Sequence, residues 1–150
     1  MEKLNLPTFP ANIRHKNDKV EIFDIFRNKF VVLTPEEWVR QHFAHYLVNK
    51  KQFPKGLLAI EYALSLELRK KRVDILSFSR QGNPLLIVEC KAASVPINQS
   101  VFDQIARYNM SLKVNYLIVT NGIQHYACRL NYEELSYQFI EEIPSFLDMK

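Results

Sequence analysis

The apolar positions of this chain fall into short clusters whose spacing marks a succession of strands and helices. Val20 to Phe26 and Lys29 to Leu33 are apolar-rich and predict two strands, or a hairpin turning at Arg27-Asn28. Thr34-Pro35-Glu36-Glu37 then supplies an N-cap threonine, a proline at the first helical position and a glutamate at the third, a capping-box arrangement. The helix it starts would face the core with Val39, Phe43, Tyr46 and Leu47 and end around Asn49 to Lys51, before Pro54. Glu37, Arg40, Gln41 and Ala44 share a different, more polar face of it.

Beyond that helix, Leu57 to Leu68, Arg72 to Phe78 and Pro84 to Lys91 read as three strands. The short Gln81-Gly82-Asn83 connection makes the second and third an antiparallel hairpin. A second helix is expected over Asn98 to Leu112 with Val101, Ile105, Tyr108 and Leu112 on its apolar stripe. A buried strand from Val114 to Thr120 follows, and the Asn121-Gly122 turn joins it to Ile123 to Arg129. This α-β-β-β-α-β order predicts an α/β fold, a mixed central sheet flanked by helices.

With 150 residues, 47% of them hydrophobic, the chain can close one core without disulfides or metals. One domain is expected, organised as a lead-in over 1–33, a core over 34–130 and an acidic extension over 131–150. Cys90 and Cys128 stand far apart and form no Cys-x-x-Cys pair, so reduced, buried thiols are expected rather than a disulfide framework or zinc site. The absence of a membrane-length apolar run and the polar N-terminus favour a soluble, cytoplasmic protein with no membrane partner. The net charge is +4, but the last twenty residues carry −4, which leaves +8 on residues 1–130. A basic body suits a polyanion such as nucleic acid, although solubility alone accounts for it equally well.

The chemistry concentrates on one strand. In Leu85-Leu86-Ile87-Val88-Glu89-Cys90-Lys91 the alternation of side chains puts Glu89 and Lys91 on one face, directly after four apolar residues. Charges in such surroundings are costly unless they are paired or bind an ion. Asp74, inside Val73-Asp74-Ile75-Leu76, would lie on the neighbouring strand and could face the same side. Two converging carboxylates suit Mg²⁺, which takes one or two of them with water and substrate phosphate oxygens. Lys91 could orient the attacking water or stabilise developing negative charge.

Val73-Asp74 followed by Glu89-Cys90-Lys91 resembles the D…ExK signature of the PD-(D/E)XK nuclease superfamily, with valine where the family name has proline. Gln104 and Tyr108, one helical turn apart, are similar to the Q-x-x-x-Y pattern of branches linked to helicases and type I restriction enzymes. From Thr34 to about Cys128 the chain resembles the N-terminal nuclease domain of type I restriction enzyme R subunits and its small stand-alone relatives. The resemblance implies a restriction-endonuclease-like core and a Mg²⁺-dependent nuclease, with Mn²⁺ as a substitute, acting on DNA in restriction or defence. Asp74 and Glu89 would then be metal ligands, and Lys91 and Gln104 would join them in catalysis. With no G-x-x-x-x-G-K-[ST] motif and three glycines in all, a helicase motor and translocation are not expected.

Each candidate also has a plainer reading. Asp74, Glu89 and Lys91 could form a structural ion-pair set at a strand end. Tyr108, on the expected apolar stripe, could simply pack, and Glu37 has its role as capping-box acid, although the resemblance makes both candidate outer members of the site. Glu61, within Ala59-Ile60-Glu61-Tyr62, is a third candidate outer member or equally an outward-facing strand residue. Arg72 shares a strand face with Asp74, and Arg107 lies near Gln104, so both are candidate phosphate contacts. The run Arg69-Lys70-Lys71 is another, or else a solvated hairpin tip. His42 and His45 lack a completing ligand set, and no G-x-S-x-G elbow supports a serine hydrolase. The alternative function is a catalytically idle nucleic-acid-binding module that needs a partner chain of a restriction system. A homodimer would supply two centres for cutting both strands of a duplex.

Overall fold

The computed structural model describes residues 1–66 and 69–149, and the side chains of 64–71 fall outside that description. The expected phosphate contacts Arg69, Lys70 and Lys71 lie there. A three-stranded antiparallel meander comes first: β1 (Ile13–Lys16), β2 (Lys19–Asp24) and β3 (Lys29–Val32). Helix α1 (Pro35–Lys51) leads into β4 (Leu58–Leu66), β5 (Arg69–Phe78), β6 (Pro84–Cys90), helix α2 (Gln99–Met110), β7 (Tyr116–Thr120), β8 (His125–Asn131) and β9 (Ser136–Ile140). These six strands form one sheet in sequence order, antiparallel except for the parallel pair β6–β7 that α2 bridges.

The expected α-β-β-β-α-β order is therefore present, with strands the sequence did not announce. β1 lies in what read as irregular lead-in. β8 runs through residue 130, and β9, within 131–150, pairs with it from Asn131↔Ser136 to Ala127↔Ile140. The hairpin at Arg27-Asn28 forms, with Asn28 at φ 55°. The β5–β6 hairpin turns on Gly82 at φ 87°. Both cysteines are free and buried.

Each face of the large sheet carries its own core. Val39, Phe43, Ala44 and Leu47 of α1 pack on Ile60, Ile75, Leu86, Val88 and Ile118, whereas Phe102, Ala106 and Met110 of α2 pack on Leu76, Ile87, Leu117 and Cys128. A fully buried Phe or Leu contributes about 1.5–3 kcal/mol, so these two layers dominate the fold's stability. Helix α1 adds a buried polar face to its expected core stripe, whereas the apolar stripe expected for α2 needs correcting. The polar face of α1 is buried: Glu37 and Arg40 are each 5% exposed and Gln41 is fully buried. On α2 the buried positions are Phe102, Ala106, Asn109 and Met110, one step round from the expected stripe, and Tyr108 is 47% exposed. Burying the larger Phe102 and Met110 decides the rotation.

Candidate active site

The site begins where two strands part. β5 and β6 pair from Phe78↔Pro84 to Ile75↔Val88, so Asp74 and Glu89 would be the next opposed residues, and there the ladder stops. β5 continues alongside β4 as far as Leu66↔Arg69, while β6 stays with β7, the N–H of Lys91 donating to the Thr120 carbonyl at 2.8 Å. The side chain of Asp74 fills the fork, its Oδ2 accepting the Cys90 N–H at 2.7 Å. Opposite Asp74 in the β4 register stands Glu61, whose backbone at the same level is left-handed, at φ 53°.

Two groups of side chains flank this fork. One lines an open groove of about 730 Å³ between α2 and the strand ends: Arg72, Glu89, Lys91, Gln104, Arg107 and Tyr108 are all on its wall. Alternation beyond the apolar run of β6 carries Glu89 and Lys91 to the α2 side, and one helical turn separates Gln104 from Tyr108. Tyr108 thus presents its ring to the groove rather than to the core.

The other group gathers on the α1 side around Arg40. Its Nη2 lies 2.8 Å from Asp74 Oδ1, 2.8 Å from Glu61 Oε1 and 3.0 Å from Glu36 Oε1, and its Nη1 donates to Glu37 Oε1 at 2.6 Å. Glu37 Oε2 accepts from Arg27 Nη2 at 2.8 Å and from Gln41 Nε2 at 3.0 Å. The capping-box reading of Glu37 therefore gives way. Thr34 does cap the helix, accepting the Glu37 N–H at 3.0 Å, but both oxygens of the glutamate are engaged by ion pairs. Arg72 connects the two groups, reaching Glu61 Oε2 at 3.5 Å from the groove wall.

Arg40, Arg27 and Glu36 are residues the sequence reading passed over. Acids and bases three and four apart on a helix normally mark a solvated face, and the partners that bury these come from distant strands. Burial alone would weaken the Arg40 cation, but the hydrogen bond and charge of Asp74 and the charge of Glu37 outweigh it and raise its pKa. Glu36 is pushed up by burial and by the charge of Asp74, against the pull of Arg40 and Lys91. The Cys90 thiol is pushed well up by burial and then by Asp74, so it stays protonated and offers no thiolate ligand.

The structure thus brings Glu89, Lys91, Gln104, Tyr108, Arg72 and Arg107 around one groove, and Asp74, Glu61 and Glu37 around Arg40, with Cys90 as the joint. Among the described residues no group of three or more His, Cys, Asp or Glu is gathered to hold a metal ion. The expected convergence of Asp74 and Glu89 on one face is not what is seen, since Asp74 turns to Arg40 and Glu89 to the groove, but the donor chemistry of the two still suits a hard cation. Asp74 and Glu89 are acceptor-only oxygen ligands, no thiolate or imidazole competes, and each Asp74 oxygen that takes one hydrogen bond keeps a second lone pair.

Residues 35–144 match the family described as the type I restriction enzyme R protein N terminus. Among solved structures the chain is similar to a fragment described as an HsdR subunit of a type I restriction enzyme from Vibrio vulnificus YJ016. The TM-score is 0.53 at 18% sequence identity, over 78% of this chain and 24% of that one. The likeness at this identity is one of fold, and the chain spans about a quarter of that relative's length. No curated protein is similar enough to match.

Proposed function

This chain belongs to the family of type I restriction enzyme R protein N termini, and from that premise we propose that it is a metal-dependent nuclease of the PD-(D/E)XK type, hydrolysing phosphodiester bonds of DNA. The observation that carries the reading is the groove, where Glu89, Lys91 and Gln104 share a wall with Arg72 and Arg107 beside the fork at Asp74. An acid, an amine and an amide next to two further cations are the groups that phosphodiester hydrolysis needs.

Asp74 and Glu89 would hold Mg²⁺, or Mn²⁺ in its place, and the ion when bound supplies Lewis acidity and a more acidic water. The protein's own groups do the rest. Arg72 and Arg107 bind the backbone on either side of the scissile phosphate without reading sequence. The Lys91 ammonium orients a water and balances negative charge developing on the phosphate, and the Gln104 amide fixes a water or phosphate oxygen by hydrogen bonding. Tyr108 offers its exposed face to an adjacent base or sugar. Partner chains of a restriction system, and a second copy for cutting duplex DNA, complete the reading. Among the described residues no helix is long and apolar enough to cross a membrane.

One observation favours the second reading, a binding module without turnover: a guanidinium already occupies the acidic side of the fork. Incubating the protein with linear, circular and single-stranded DNA, and with RNA, in Mg²⁺ or Mn²⁺ against chelator decides between them. Metal-dependent products lost in Lys91→Ala are expected. Salt-sensitive DNA binding without products in any metal would leave the binding module instead.

A further inference from the structure

The groove and its metal ligands leave a second network unused, which runs from the N-terminal meander into the fork. Asp24, fully buried at the end of β2, accepts the N–H groups of Phe26 at 2.7 Å and Arg27 at 3.0 Å, and pairs with the Arg27 guanidinium. Arg27 Nη2 reaches Glu37 Oε2 at 2.8 Å, Glu37 Oε1 takes Arg40 Nη1 at 2.6 Å, and Arg40 Nη2 holds Asp74 Oδ1 at 2.8 Å. Asp74 Oδ2 then accepts the Cys90 N–H, between Glu89 and Lys91. The side chains of Asp24, Glu37 and Arg40 are each no more than 6% exposed, and those of Asp74 and Arg27 are 14% and 18% exposed, so most of this alternating series of charges is shielded from solvent. Shielding from water makes each link stronger and more directional than a surface ion pair.

We propose that Arg27 and Arg40 are positioning residues, and that the three-stranded meander sets the orientation of the Asp74 carboxylate through them. The inference rests on the metal-site reading of Asp74 and extends it to residues outside the groove. A planar guanidinium spans two acids with fixed geometry, which a lysine ammonium does not reproduce. Both arginines use this property: Arg27 bridges Asp24 and Glu37, and Arg40 bridges Glu37 and Asp74 while reaching Glu36 and Glu61. Asp74 is thereby fixed through both oxygens, one to the series and one to the β6 backbone, before any cation arrives. Groups that orient metal ligands in this way commonly alter metal affinity by about 10–100-fold when replaced.

The test uses the full chain, with Arg27→Gln as the informative variant because Arg27 lies outside the groove. Arg27→Lys, which keeps a cation beside Asp24, serves if the glutamine variant does not fold. Two quantities are read: the amide resonance of Cys90 by NMR without metal, and the dissociation constant of Mn²⁺ alone by calorimetry. A shifted Cys90 resonance and a Mn²⁺ constant raised on the order of 10-fold are expected, with a larger rise for Arg40→Lys. A folded variant with lower thermal stability but a wild-type Cys90 resonance overturns the proposal, because a merely structural role predicts that result. Wild-type protein whose Mn²⁺ binding is absent, or unaffected by Asp74→Asn and Glu89→Gln, rejects the nuclease reading instead. The Cys90 resonance decides the relay in that case too.

Discussion

The Asp74 carboxylate accepts the backbone N–H of Cys90 at 2.7 Å, which ties β5 to β6 at the residue between Glu89 and Lys91. Antiparallel pairing has ended one step earlier, so this side chain takes the place of a ladder hydrogen bond and holds the fork at a set width. Asp74→Asn keeps the shape but loses the charge that the N–H and Arg40 both seek. Charge-assisted hydrogen bonds of this kind are worth about 1.5–3 kcal/mol, and a loss of that size is expected in urea unfolding. Metal-dependent cleavage should disappear from the folded variant. An unchanged unfolding midpoint would show that the contact does not matter to the fold.

Arg40 is expected to be the most sensitive residue outside the hydrophobic cores. Its side chain and that of Glu37 are both 6% exposed, and Arg40→Met leaves Glu37 short of one partner in a place water scarcely reaches. Removing one member of a buried pair costs about 3–5 kcal/mol. The double variant Arg40→Met with Glu37→Leu should recover part of that loss, since it removes the most buried of the four acids that Arg40 leaves unpaired. Denaturation of the two singles and the double closes the cycle, and strict additivity would argue that the pair is not coupled.

The sequence made Glu89 and Lys91 legible because strand alternation is local: two residues apart after an apolar run must share a face. Their neighbours on the groove, Gln104 and Tyr108, were legible through helical spacing, although Tyr108 falls equally on the helix's apolar stripe. The Arg40 cluster was not, because Glu61 and Asp74 lie 21 and 34 positions away in the chain and only the tertiary fold brings them to the helix. β9 escaped for a different reason. Ser136–Ile140 is an edge strand in which no residue is fully buried, so its side chains carry a weak periodic signal.

Gly122 sits where the N-terminal segment packs on α1 and should not tolerate a side chain. It sits at φ +85°, and a Cβ there would lie 2.8 Å from Leu4 Cδ2 and 3.2 Å from Val39 Cγ2. Left-handed backbone alone costs a non-glycine residue about 1–2 kcal/mol. Gly122→Ala is expected to lose at least that much by thermal or urea unfolding. Adding Leu4→Ala should relieve the clash and leave the combined loss smaller than the sum of the two. A loss of under about 0.5 kcal/mol in the single variant would mean that the turn can rearrange freely.

Acid should weaken the fold before any carboxylate is protonated in bulk. His42, His45 and His125 are all held below the ordinary imidazole range by burial, partly offset at His42 by the Trp38 carbonyl, at His45 by the charge of Asp24 and at His125 by the Asn5 carbonyl. His45 is packed face to face on Phe9, with centroids 4.1 Å apart, and edge-on to Phe26. As pH falls through the ordinary value of about 6.5, the unfolded chain takes up protons that the folded chain refuses, so stability is lost in that direction. Glu36, whose pKa is raised, works with the opposite sign, but it is one group against three. Between pH 7.5 and 5.5 the net loss is expected to be on the order of 1–2 kcal/mol, seen as a lower urea midpoint. His45→Phe should shrink the difference by keeping the stacking and removing one proton site. A midpoint that holds steady or rises on acidification would mean that these imidazoles accept protons in the folded chain.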